Sequence, residues 1–76
     1  TRLSYKEQRE YEELEAAIDA LQQELNRLQQ EQAQAGSDYV LLNELHLQAQ
    51  ELEAELEAKM ERWLELQELK EEYENA

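Results

Sequence analysis

The sequence predicts an all-α fold, a two-helix antiparallel coiled-coil hairpin. Three observations carry that expectation. Apolar residues recur at alternating spacings of three and four along two stretches, the pattern of a left-handed coiled-coil seam. Glutamate, leucine, glutamine and alanine, all good helix formers, dominate a chain with one glycine and no proline. That glycine, Gly36, separates the two stretches and stands where a helix C-terminus uses a left-handed residue.

The first helix is expected over about 4–35. Ser4 followed by Glu7 fits a capping box, in which the serine hydroxyl accepts from the Glu7 amide and the Glu7 carboxylate accepts from the Ser4 amide. Tyr11, Leu14, Ile18, Leu21, Leu25 and Leu28 form the seam, and Gln32 and Ala35 continue it with weaker residues. The turn is expected at about 36–38, with Ser37 or Asp38 capping the second helix.

The second helix is expected over about 39–74. Leu42, Leu45, Ala49, Leu52 and Leu56 repeat the alternation. A strict heptad would next use Lys59, whereas Met60 is the apolar residue there. Leu52 to Trp63 is therefore expected to make one eleven-residue step, a local stutter. Leu66, Leu69 and Tyr73 complete the stripe, with Trp63 and Leu64 widening it. Two helices of similar length joined by so short a turn must be antiparallel neighbours, making a hairpin about 48 Å long at ~1.5 Å per residue. The termini share an open end and the turn forms a tip. In this register Leu28 faces Leu42–Leu45, Leu14 faces Leu56–Met60, and Tyr11 faces Lys59–Trp63.

Residues 1–76 are read as one domain. Two packed stripes make a thin core for a free-standing domain, which suggests a piece of a larger protein, as does the absent initiator methionine. There is no cysteine, so no disulfide or thiolate site exists, and neither a signal peptide nor a membrane-spanning run is present. No membrane partner and a cytoplasmic location are expected.

Seven basic residues face twenty acidic ones, a net charge of −13 that repels phosphate backbones. The basic residues are unevenly placed. The hairpin gathers Arg2, Lys6, Arg9, Lys59, Arg62 and Lys70 in its open-end half and leaves Arg27 nearer the tip.

No catalytic motif appears. A phosphate-wrapping loop needs more than one glycine. His46 is the only histidine, and Asn43 stands where a Glu-x-x-His di-iron motif would need an acid. His46 reads as an exposed helix residue. The glutamates from Glu51 to Glu57 lack the glycine turn of a calcium loop and read as a solvated face. Tyr39, Val40, Leu41, Leu42, Leu45 and Leu47 crowd the tip. They are expected mainly to cap the turn, with an exposed patch for a partner or a second copy as the sharper alternative.

The opening run LSYKEQR, Leu3 to Arg9, resembles the start of the C-terminal domain of Uup-like proteins of the ABC-F family of ATP-binding cassette proteins. There such a run opens a two-helix coiled coil behind two ATPase cassettes. AGSDY, Ala35 to Tyr39, and LEAELEAKMERWLEL, Leu52 to Leu66, look like the same family. The resemblance implies a non-catalytic accessory domain of a cytoplasmic bacterial ATPase. ATP and Mg would be bound by cassettes outside these residues, and no cofactor is expected in this chain. It also implies engagement of nucleic acid, DNA for Uup-like members, or of the ribosome, or positioning of the parent's own cassettes. Arg2, Lys6 and Arg9 are the first phosphate contacts it suggests, joined by Lys59, Arg62 and Lys70. The alternative is an acidic coiled-coil module for protein association. Exposed, accessible cations at the open end favour the first; cations paired with glutamates favour the second.

Overall fold

Ser4 starts the first helix. Its backbone is extended (φ −61°, ψ 161°), its hydroxyl accepts from the Glu7 amide, and its own amide donates to Glu7 Oε1, both at 3.1 Å. This capping box satisfies two of the amides that a helix start leaves without partners. In the computed structural model, which describes residues 3–75, helix α1 runs over Tyr5–Gln34 and helix α2 over Tyr39–Asn75. Gly36 takes φ +62° in the turn between them. Asp38 Oδ1 accepts from the Leu41 amide at 3.1 Å and so caps α2.

The two helices pack antiparallel along their length, in a body measuring 56 × 19 × 14 Å. Leu25 and Leu28 of α1 cluster with Leu45 and Ala49 of α2, and Leu52 and Leu56 pack against them. Toward the open end Tyr11 stacks on Trp63, as the sequence register places it. The predicted all-α hairpin is the observed fold. Every expected α1 seam residue from Tyr11 to Ala35 is buried or half-buried.

The α2 seam departs from expectation at one point. Lys59 is half-buried, while Met60 is 39% exposed. The eleven-residue stutter is therefore corrected to an unbroken heptad through Leu42, Leu45, Ala49, Leu52, Leu56, Lys59, Trp63, Leu66, Lys70 and Tyr73, all buried or half-buried. The physical reason is the lysine's four-carbon stem. It can lie along an apolar seam while its ammonium reaches water, so a charged residue need not break the period. Leu64, expected to widen the seam stripe, is instead 48% exposed.

The tip also differs from the expectation of a simple cap. Leu45 is buried and Leu42 half-buried, so those two close the seam. Tyr39, Val40 and Leu47 are more than half exposed.

Candidate nucleic-acid interface

The open end is built where the beginning of α1 meets the last third of α2. Tyr11 anchors it. The Tyr11 and Trp63 rings stack with centroids 5.6 Å apart and planes inclined by 18°. The Tyr11 hydroxyl donates to Gln67 Oε1, and Trp63 Nε1 donates to Glu15 Oε1 at 3.4 Å. Burial, then the nearby carboxylates of Glu15, Glu71 and Glu74, hold the Tyr11 phenol above its ordinary pKa. It stays a neutral donor at physiological pH.

Around this anchor the cations separate into two kinds. Arg62 is committed. Its Nε and Nη2 donate to the two carboxylate oxygens of Glu10 at 2.9 and 3.0 Å, and Nη1 donates to Glu65 at 2.9 Å. Glu10 and Arg62 each stand one residue before a seam residue, Tyr11 and Trp63, so this bidentate pair bridges the helices along one edge of the seam. The bonds from Arg62 hold the Glu10 carboxyl below the usual carboxylate range, and the same pair raises Arg62 further above an ordinary arginine. Lys70 Nζ lies over the Tyr11 ring, 5.1 Å from its centroid, in a cation–π contact. Lys59 reaches Glu55 at 3.6 Å, one helical turn back.

Lys6 and Arg9 differ. Both are exposed on the first turns of α1. Arg9 makes a single ion pair, to Glu13 at 3.3 Å, with both side chains more than two-thirds exposed. Such a pair is readily exchanged for another anion. Lys6 makes no ion pair within 4.0 Å among the described residues, and its charge is felt at Glu10. Tyr5 stands beside it, 81% exposed. Arg2, the remaining expected contact, lies outside the described residues.

Of the six cations expected as phosphate contacts, the fold brings Lys6, Arg9, Arg62 and Lys70 around the Glu10–Tyr11 segment. Arg62 and Lys70 are spent on the inter-helix contacts. Arg27, nearer the tip, is held by Glu24 and by Glu31, the latter at 2.6 Å. Sequence reasoning missed the Glu10–Arg62 bridge, although Glu10 beside Tyr11 and Arg62 beside Trp63 were visible as an acid and a base flanking paired seam residues.

Elsewhere there is no metal-binding arrangement: no group of three His, Cys, Asp or Glu is gathered among the described residues. His46 is exposed, with its Nε2 3.1 Å from Gln50 Nε2. No described helix is long and apolar enough to cross a membrane.

Comparison with known proteins gives this end of the hairpin its context. The family model of the ABC transporter C-terminal domain matches residues 2–68, most of the chain. The chain belongs to the ABC transporter C-terminal domain family. The resemblance carried by Leu3–Arg9 and Leu52–Leu66 is thus borne out at the level of the family. A relative in Bacillus subtilis strain 168, the uncharacterized ABC transporter ATP-binding protein YfmR, is 39% identical over 74 residues. That match covers 97% of this chain and 12% of the relative, so the chain spans about an eighth of the relative's length. No solved structure matches.

Proposed function

We propose that this hairpin is a non-catalytic C-terminal accessory domain of a cytoplasmic ABC-F ATPase and that its open end engages nucleic acid, as duplex DNA or as ribosomal RNA. The observation that carries the nucleic-acid reading is the pair Lys6 and Arg9. They are exposed cations on the first turns of α1, where the helix dipole also favours anions. Tyr5 beside them offers a stacking face. In this reading Arg62 and Lys70 set the shape of the end rather than contact phosphate. Lys59, on its seam position, supports the arm. ATP and Mg belong to the parent's cassettes: the residues here supply no phosphate cradle, since the one glycine lies in the tip turn.

Binding by so few charges in a field of −13 is weak and steeply salt-dependent, with a slope of about −0.9 per phosphate neutralised on duplex DNA. Fluorescence anisotropy on duplex DNA and on a ribosomal RNA fragment, at low and physiological salt, tests it. Lys6→Glu combined with Arg9→Glu removes the binding, whereas Arg27→Glu leaves most of it. A chain that binds neither nucleic acid at low salt refutes this role for the domain.

A second reading, a structural module for protein association, is favoured by the exposed tip. Tyr39 is 78%, Val40 73% and Leu47 51% exposed. Sedimentation equilibrium of the chain and of a Val40→Gln, Leu47→Gln variant tests whether copies join there.

A further inference from the structure

The outer surface of α2 carries an apolar row that the hairpin uses only at its first residue. Leu56, Met60 and Leu64 succeed one another at four-residue steps of about 6 Å. Each step turns the side chain about 40° further around the helix, because 3.6 residues complete a turn. The row therefore begins at the seam and climbs away from it. Leu56 is half-buried against the core cluster, Met60 is 39% exposed and Leu64 is 48% exposed. Beside it on the solvent side runs a second row at the same spacing, Glu53, Glu57 and Glu61. The six residues together line one shallow groove. Rows at four-residue spacing are the ridges between which a second helix packs.

From this groove we propose that the Leu56–Met60–Leu64 face docks a basic amphipathic helix of a protein partner, with the partner's apolar residues against Met60 and Leu64 and its lysines or arginines against Glu53, Glu57 and Glu61. Charge complementarity selects the occupant. The three carboxylates exclude an acidic helix, a second copy of this −13 chain included, and they also repel nucleic acid. None of the three takes part in an ion pair among the described residues, so their charge is available. Met60 adds an unbranched, polarisable side chain that adapts to a partner's contour. The site lies on the outside of α2 and does not depend on the open-end function proposed above.

The test uses the 76-residue chain and two synthetic peptides of about 16 residues and identical composition. One peptide places leucine and lysine on opposite faces of a helix; the other scatters them. Titrations at physiological salt, followed by methyl resonances in NMR, read both affinity and place. The expected result has the amphipathic peptide shifting the Met60 and Leu64 methyls first and binding at least tenfold tighter than the scattered one. Met60→Gln with Leu64→Gln, and separately Glu57→Lys, then weaken it tenfold or more. Val40→Gln with Leu47→Gln, at the tip, changes it less than twofold. Equal binding of the two peptides, shifts spread over the whole acidic surface, or indifference to the Met60 and Leu64 changes overturns the proposal. The substituted residues lie at exposed positions, and an unchanged thermal melt of each variant excludes unfolding as the cause.

Discussion

Tyr11 and Trp63 stack across the two helices at 5.6 Å, and Lys70 lies over the same tyrosine ring. This cluster is what closes the open end, where the arms have no covalent link. Trp63 is half-buried, so Trp63→Ala is expected to cost about 2–3 kcal/mol, below the ~3–5 kcal/mol of a fully buried aromatic. Tyr11→Phe keeps the stack and loses only the hydroxyl bond to Gln67, for about 0.5–1.5 kcal/mol. Thermal melts by circular dichroism rank the two, and a Tyr11→Phe cost as large as that of Trp63→Ala shows that the hydrogen bond, not the stack, holds this end.

Leu28 and Leu66 are the two fully buried side chains among the described residues, one in each arm. Leu21 and Leu52, midway along the two seams, are only half-buried. Leu28→Ala and Leu66→Ala should therefore each cost toward the upper part of the ~2–5 kcal/mol range, and Leu21→Ala and Leu52→Ala toward or below its lower end. Urea unfolding of the four variants checks the order. Equal losses at all four positions would mean that the core is uniform rather than concentrated near the two ends.

Much of this was legible in the sequence, for a physical reason. A two-helix hairpin has one turn and one seam, so Gly36 and the three-four spacing leave little else to decide. The facing of Tyr11 and Trp63 comes from counting outward from the turn. Less legible was how charge behaves at the seam. Pattern reading prefers Met60 to Lys59 on hydrophobicity alone, yet Met60 lies outward and Lys59 lies in. The cations were legible as a cluster but not as a division of labour. Whether Arg62 faces solvent or Glu10 depends on a register finer than the pattern resolves.

The corrected seam makes its own prediction. Lys59→Leu places an apolar side chain on a position about two-thirds buried, where the lysine side chain is 34% exposed, and should gain about 1–2 kcal/mol. It gives up the Lys59–Glu55 pair, worth about 0.2–0.5 kcal/mol on a helix surface, so the gain wins. Met60→Gln, on the outward face, should change little. Paired melting curves decide it: a destabilised Met60→Gln alongside a neutral Lys59→Leu would restore the stutter.

Gly36 holds φ +62°, and a side chain there would meet nothing within 4 Å. Gly36→Ala is therefore a purely backbone experiment. The left-handed conformation costs an L-residue about 1–2 kcal/mol, more than the ~0.4–1 kcal/mol that the stiffer unfolded chain returns. Gly36→Asn should cost less than Gly36→Ala, since asparagine tolerates that region. Equal melting temperatures for parent and Gly36→Ala would show that the turn relaxes to another conformation.

The Glu10–Arg62 bridge should be visible as a pH dependence of stability. Hydrogen bonds from Arg62 lower the folded-state pKa of Glu10 below its ordinary value of 4.5. A carboxyl depressed on folding contributes stability that is fully present above its unfolded pKa. That stability is lost as pH falls through the folded one. Acidification has a second, opposite effect on the whole chain. Twenty acidic residues against seven basic ones repel each other at neutral pH, and protonation relieves that repulsion. The raw melting temperature therefore mixes the two. Glu10→Gln separates them, because it removes one charge of twenty and the whole of the bridge's titration. The parent should melt above Glu10→Gln at neutral pH. The gap should persist to the ordinary glutamate range and close only below it, even if both proteins grow more stable on the way down. A gap that is absent at neutral pH, or that widens on acidification, would show that the Glu10–Arg62 bridge adds nothing to stability and that the contacts around Tyr11 and Trp63 hold the arms at this end without it.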